Sequence, residues 1–70
     1  FSVQELQEFI VASLPNIDAV RSRSLLRRFD TVEKVFTASK AGLSEVEGIG
    51  DKISERIREI LTAKYRKEEG

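Results

Sequence analysis

The chain has 70 residues and contains neither cysteine nor histidine, so disulfides, thiolate chemistry and the usual zinc sites are excluded. Twelve basic and twelve acidic side chains cancel, which argues against a strongly basic nucleic-acid binder. No run resembles a calcium-binding loop, so we expect neither a metal nor another cofactor in this domain.

A chain of this size is a marginal domain, because it buries only ~60% of the surface that its unfolded form exposes. With disulfides and zinc excluded, we expect support from association with a second chain. The sequence begins abruptly at Phe1, which suggests a fragment of a longer protein. No signal peptide and no apolar run of ~18 residues are visible, so we expect a cytoplasmic location and no membrane partner.

The charges are unevenly distributed along the chain. Residues 1–19 carry three acidic side chains and no basic one, whereas residues 20–40 carry six basic side chains and two acidic ones. Residues 41–70 are nearly balanced, with six basic and seven acidic side chains. The molecule is therefore expected to be electrostatically uneven, with a basic middle.

Two helices are predicted in the first half. Ser2 and Glu5 form a capping-box pattern at the start of a helix over 3–13. Pro15 ends that helix, and Asp18 is placed to cap a second helix over 19–29. Helical spacing assigns their apolar faces to Leu6, Phe9, Ile10 and Leu14 in the first helix, and to Leu25, Leu26 and Phe29 in the second.

Three further helices are predicted in the second half. A short helix over 31–38 follows the break at Asp30-Thr31, and Ser39 caps another over 40–46. The last runs over 51–65, with Ile53, Ile57, Ile60 and Leu61 on one face. No stretch alternates with period two, so the fold class is all-α, with about five helices. The charged tail 66–70 is expected to fray.

An internal repeat relates the two halves at a shift of 32 residues. Each copy reads as a helix, a four-residue turn and a helix, which divides a single domain over 1–70 into units at about 3–29 and 40–65, joined by the helix over 31–38. The aligned pairs are Leu14 with Val46, Asn16 with Gly48, Ile17 with Ile49, Asp18 with Gly50, Ser22 with Ser54, and Leu25 with Ile57.

The second turn has the residues of a phosphate-binding hairpin. Gly48 and Gly50 permit backbone angles that side chains disfavour, while Ile49 between them can point into the core. The N–H groups after Gly50 then lie at a helix N-terminus, where the helix dipole favours an anion and Lys52 adds a positive charge. A simple tight turn explains the two glycines alone. The repeat and Lys52 favour the phosphate interpretation.

The first turn departs from this pattern. Asn16 tolerates left-handed angles in place of glycine, but Asp18 puts a carboxylate where a phosphate would bind, and Val20 stands where the second copy has Lys52. This hairpin is therefore interpreted as a scaffold with Asp18 as a cap. Four arginines on the following helix form either a DNA-binding face or a solvated one: Arg21, Arg23, Arg27 and Arg28.

The order of these motifs resembles the C-terminal tandem helix-hairpin-helix domain, (HhH)2, of the XPF family of structure-specific endonucleases. The resemblance lies in four segments of the chain: the stretch from 14–17 through Arg28-Phe29, then 32–39, 46–53 and the ending 61–65. The archaeal members are the most similar, either XPF or Hef, a helicase-associated endonuclease for fork-structured DNA. The resemblance implies nucleoid-associated binding of branched or flapped DNA, homodimerisation, and a parent endonuclease whose cutting site lies outside this fragment.

The resemblance also implies roles for individual residues. The DNA contacts carry over to Gly48, Ile49, Gly50 and Lys52, with Ser54 on the same helix and with Asn16, Arg21 and Arg23 in the first unit as further candidates. The dimer interface is expected at the C-terminal helix, at Tyr65, Leu61 and Ile57. The alternative for these apolar side chains is that they close the monomer core.

Other function classes stay open at this point. The zero net charge favours a protein-interaction module with little DNA binding of its own. A helix-hairpin-helix domain of a ligase, a branch-migration protein or an excision nuclease is a further possibility, against which the linker 36–39 and the Tyr65 ending argue. Catalysis by this chain is the least favoured, because its carboxylates form no recognisable pair.

Overall fold

The computed structural model describes residues 1–66, which form five α-helices and no strand. The predicted all-α class is confirmed. The helices are α1 (Val3–Ala12), α2 (Ala19–Phe29), α3 (Val32–Thr37), α4 (Lys40–Ser44) and α5 (Asp51–Thr62). The tail predicted to fray lies, apart from Arg66, outside the described residues. None of the helices in 1–66 is long and apolar enough to cross a membrane.

Side-chain caps fix the starts of the first four helices. In each, the oxygen of the residue before the helix accepts a hydrogen bond from the backbone N–H three residues ahead. The capping residues are Ser2, Asp18, Thr31 and Ser39. The predicted capping box of Ser2 with Glu5 is present. The sequence had predicted that Thr31 is the first residue of α3. In the structure Thr31 is the cap that precedes this helix.

The core repeats at the predicted shift of 32 residues. Five pairs are buried at equivalent positions: Val11 with Leu43, Leu14 with Val46, Ile17 with Ile49, Ser22 with Ser54, and Leu25 with Ile57. The turn hydrogen bonds repeat as well, since Ile17 N–H donates to the Leu14 carbonyl and Ile49 N–H donates to the Val46 carbonyl. α1 packs on α2 and α4 packs on α5, so the chain contains two helical hairpins joined by α3.

Two buried hydroxyls allow the helices of each hairpin to approach closely. The Ser22 hydroxyl donates to the Glu8 carbonyl of α1 at 2.7 Å, and the Ser54 hydroxyl lies 2.7 Å from that of Ser44 in α4. A buried hydroxyl without a partner would be costly, so these bonds fix how each helix pair is aligned.

The apolar face predicted for α1 is wrong in part. Leu6, Phe9 and Ile10 are 45%, 75% and 42% exposed, while Val11 is fully buried. The cause is the contact of Ser22 with the Glu8 carbonyl, which turns the side of α1 carrying residues 8 and 11 toward α2. Helical spacing alone does not reveal this rotation, because apolar residues lie on more than one side of α1.

The last helix is shorter than predicted. α5 ends at Thr62, and Ala63 has an extended backbone, with φ −67° and ψ 141°. Tyr65 therefore does not continue the face of Ile53 and Ile57. Its side chain is 92% exposed.

Candidate nucleic-acid interface

The second hairpin places Gly50 at the tip between α4 and α5. Val46 N–H donates to the Leu43 carbonyl at 3.1 Å, and Ile49 N–H donates to the Val46 carbonyl at 3.0 Å. Gly48 has φ +86°, a conformation in which a side chain would be strained. The Ile49 side chain is buried and holds the turn against the core, as predicted, and the residue as a whole has no exposed surface.

The N-terminus of α5 differs from the other four because no side chain caps it. The first backbone N–H groups of α5 therefore lack both an intrahelical acceptor and a capping oxygen. Gly50 itself is exposed, and a Cβ built on it would meet no atom within 4 Å. The approach to these N–H groups is open, which suits an anionic oxygen.

The charges around this tip are mixed. Lys52 is exposed on the first turn of α5, but Glu47 and Asp51 are exposed on either side of Gly50. Glu45 is paired with Arg28 of α2 at 2.7 Å, so its charge is offset. With this balance the tip has one uncapped helix N-terminus beside Lys52 rather than a broad positive surface, in line with the zero net charge.

The first hairpin shares the left-handed turn residue and the buried isoleucine of the second but has different chemistry at its tip. Asn16 takes φ +63°, matching Gly48, and Ile17 is buried like Ile49. Asp18 caps α2 through a 2.9 Å bond from the Arg21 N–H. That bond is the main reason why the pKa of Asp18 lies below its usual value, and the Arg21 guanidinium adds to the effect. The site equivalent to the open N-terminus of α5 thus holds a carboxylate.

The α2 arginines do not form one continuous face. Arg21 pairs with Asp18 at 3.0 Å, Arg23 lies 3.9 Å from Glu8, and Arg28 pairs with Glu45. Arg27 has no carboxylate partner within residues 1–66. Arg23 and Arg27 line a groove against α1, whereas Arg21 lines a cleft between the two hairpins. The four side chains therefore do not share one groove, and their part in DNA binding stays a prediction.

Besides Ile49, two more residues predicted to be in binding surfaces lie in the core. Ser54, expected among the DNA contacts, is fully buried, and its hydroxyl bonds to Ser44 and to the Asp51 carbonyl. Ile57, expected at a dimer interface, is also fully buried. Both are corrected to core residues, since a side chain without exposed surface cannot touch a partner. Leu61 packs partly against the core.

One contact near the hairpin was missed from the sequence. Arg21 Nε donates to the Gly48 carbonyl at 2.9 Å, across a separation of 27 residues. No local pattern signals a contact over that distance. The structure thus brings Arg21 to the second hairpin, whereas Asn16 stays on the first.

Comparison with known proteins was consistent with this geometry. The sequence profile of the SAM-like helix-hairpin-helix tandem family matches residues 3–63. A putative ATP-dependent RNA helicase of Methanocaldococcus jannaschii is 48% identical over 64 residues, which are 91% of this chain and 8% of the helicase. The 3'-flap repair endonuclease Xpf of Saccharolobus solfataricus is 35% identical over 66 residues, which are 94% of this chain and 28% of the endonuclease.

Solved structures of XPF from Aeropyrum pernix are similar as well. One superposes with a TM-score of 0.90 and 44% identity, over 94% of this chain and 31% of that XPF chain. Another, in complex with DNA, gives a TM-score of 0.88 and 45% identity, over 93% of this chain and 32% of that one. This chain therefore spans less than a third of each of these relatives.

These matches confirm the resemblance to the XPF family and to its archaeal members. They also agree with the two hairpins seen in the fold, each built from a helix, a turn and a helix with equivalent buried residues. The matched profile covers both hairpins and α3 between them. This chain belongs to the SAM-like helix-hairpin-helix tandem family.

Proposed function

We propose that this domain binds the phosphate backbone of forked, flapped or otherwise branched DNA, mainly through the second hairpin. The observation that carries the proposal is the uncapped, open N-terminus of α5 at Gly50, beside Lys52. Backbone N–H groups and the positive end of the helix dipole favour a phosphate there. Such contacts read no base, so we expect little sequence preference.

The relatives support a place in a DNA-repair protein. One is a 3'-flap repair endonuclease, another a putative helicase, and Aeropyrum XPF forms a complex with DNA. We assign cleavage or unwinding to other parts of a parent endonuclease or helicase that acts at the nucleoid. This domain is proposed as a binding module, and no group of three or more acidic side chains in 1–66 is placed to hold a metal ion.

The test is a titration of the 15N-labelled chain with forked DNA, followed by amide chemical shifts. We expect the peaks of residues 48–53 to move and those of 16–20 to stay, because the N-terminus of α5 has no side-chain cap whereas Asp18 places a carboxylate at that of α2. Two forks of unrelated sequence should give the same shifts, and binding should weaken steeply with salt as counterions are released. Movement confined to 16–20 would contradict the proposal.

We further propose that the domain forms a homodimer through the segment around Tyr65 and Leu61. Tyr65 is a large, exposed aromatic side chain, the type favoured as an interface anchor. The chain is also small and leaves several large apolar side chains in contact with solvent, which a partner chain would cover. The exposed apolar side chains at the start of the chain and on α1 are Phe1, Val3, Leu6, Phe9 and Ile10.

Sedimentation equilibrium tests the dimer. We expect Tyr65→Ala to shift the chain toward the monomer, since it removes most of an exposed aromatic anchor without touching the core. Val20→Ala is the matched control, because Val20 is an exposed apolar residue on α2 away from that segment. A wild-type chain that still sediments as a monomer at ~0.1 mM would contradict the dimer. Its Kd would lie above that concentration, toward the 1 mM that corresponds to a binding free energy of only about −4 kcal/mol.

A protein-interaction module with little DNA binding is the second candidate, favoured by the zero net charge and the exposed apolar side chains of α1. Sedimentation velocity with and without forked DNA at low salt separates the two functions. A dimer whose sedimentation coefficient is the same with and without forked DNA supports this second candidate.

A further inference from the structure

Arg21 connects the tips of the two hairpins. Its Nε donates to the Gly48 carbonyl at 2.9 Å, and its Nη1 donates to Asp18 Oδ2 at 3.0 Å. The other carboxylate oxygen of Asp18 accepts the Arg21 backbone N–H at 2.9 Å. Asp18 thus holds Arg21 at both its backbone and its guanidinium, and Arg21 in turn holds the second hairpin.

The bond to Gly48 restrains the backbone that leads to the open helix N-terminus. The Gly48 carbonyl and the Ile49 N–H belong to one peptide unit, which is planar. Arg21 holds the carbonyl end of this unit, and the Val46 carbonyl accepts the N–H end at 3.0 Å. With both ends held, the plane is fixed, and the next unit carries the N–H of Gly50.

Gly48 is adapted to this contact. A Cβ on Gly48 would lie 3.3 Å from Arg21 Nε, closer than most side-chain contacts. Glycine is thus favoured by its φ of +86° and also by the approach of the arginine.

The contact exists in one direction only. At the shift of 32 residues, Arg21 corresponds to Ile53, which has no donor to offer to the carbonyl of Asn16. Asp18 corresponds to Gly50, which has no carboxylate. The bond from Arg21 to the Gly48 carbonyl therefore has no counterpart from the second hairpin to the turn of the first.

We infer that Asp18 and Arg21 are positioning residues that hold the Gly48–Gly50 backbone ready for a phosphate, and that Arg21 is not itself a phosphate ligand. The inference rests on the proposed DNA binding by the second hairpin. It assigns a role to the carboxylate of the first hairpin, which lies where a phosphate would otherwise bind. That carboxylate orients the arginine that shapes the neighbouring site.

The test uses charge-preserving and charge-removing variants of the 70-residue chain. Arg21→Lys keeps the charge but loses the two-pronged geometry, so we expect the amide shifts of Gly48, Ile49 and Gly50 to change in the free protein. Its affinity for forked DNA should fall about fivefold, as for one lost hydrogen bond. Arg58→Lys is the matched control, because Arg58 also donates to a backbone carbonyl, that of Phe36 at 2.8 Å on α3. It should leave the hairpin shifts unchanged.

The salt dependence separates positioning from direct contact. If Arg21 bound a phosphate, Arg21→Gln would reduce the slope of log affinity against log salt by ~0.9. A positioning role predicts a weaker complex with the wild-type slope. The double variant Asp18→Ser/Arg21→Gln should bind as Arg21→Gln alone does, because serine keeps the cap of α2 and the two residues act through one chain of contacts.

Two results would overturn the inference. One is a free Arg21→Lys protein whose Gly48–Gly50 amides match the wild type, and the other is a loss of salt slope in Arg21→Gln. The amide shifts are measured without DNA. A wild-type chain that fails to bind DNA would therefore remove the proposed function, while the shifts still decide whether Arg21 holds the hairpin.

Discussion

Gly50→Asp should weaken the binding of forked DNA by at least ~10-fold while leaving the domain folded. An aspartate at this position would cap α5 with its own carboxylate, as Asp18 caps α2. The N–H groups would then be occupied and a negative charge would face the phosphate, a loss comparable to a charged hydrogen bond. The open position leaves room for the new side chain. Because Gly50 has φ 11° and the Asp18 cap has φ −93°, the backbone has to adjust for this cap to form, so stability is measured beside affinity.

Affinity and stability should be measured together, by fluorescence anisotropy with labelled forked DNA and by urea unfolding. Asn16→Asp is the charge control, since it adds the same charge at the turn of the first hairpin, where Asn16 already takes φ +63°. It should cost much less affinity. Gly50→Ser, which caps α5 without a charge, should fall between the two. Wild-type affinity in Gly50→Asp at low salt would show that the phosphate does not bind at α5.

Ile57→Ala should destabilise the domain by ~2–5 kcal/mol, the range for a large apolar side chain removed from a well-packed core. Ile57 has no exposed surface, and its partner in the repeat, Leu25, has none either. A domain of this length has a total stability of roughly 4–10 kcal/mol, so the substitution would remove a substantial part of its free energy of unfolding. Leu25→Ala should cost a similar amount, because the two positions are equivalent.

Ile60→Ala is the control for this prediction, since Ile60 lies one turn from Ile57 but is 47% exposed. Its loss should stay below ~1 kcal/mol, as for most substitutions outside a core. Urea unfolding followed by circular dichroism, at several protein concentrations, separates core loss from weakened association. If Ile57→Ala changed only the concentration dependence, Ile57 would belong to a dimer interface after all.

Local signals in the sequence predicted the helices well. Caps such as Asp18 and Ser39 mark helix starts because the hydrogen bond that they make spans only three residues. The repeat was equally visible, since the burial of Ile17 and Ile49 depends on the same short turn. Helix ends were less certain. The chain leaves α5 after Thr62, although apolar and charged residues of good helix propensity continue toward Tyr65.

Contacts between distant segments could not be predicted in this way. Ser54 was expected at the DNA surface on the same helix as Lys52, but it turns inward against Ser44. The exposure of Phe9 depends on how α1 is rotated against α2, where Ser22 bonds to the Glu8 carbonyl across 14 residues. The bond from Arg21 to Gly48 depends on the arrangement of both hairpins. Each of these facts follows from tertiary packing, which no local pattern encodes.

The buried hydroxyls of Ser22 and Ser54 have a mechanical consequence. Apolar side chains can slide past one another at small cost, but a hydroxyl that must meet a particular oxygen allows each helix pair only one alignment. Sliding within either hairpin would break a buried hydrogen bond, so each helix pair should move as one unit when the domain meets a ligand.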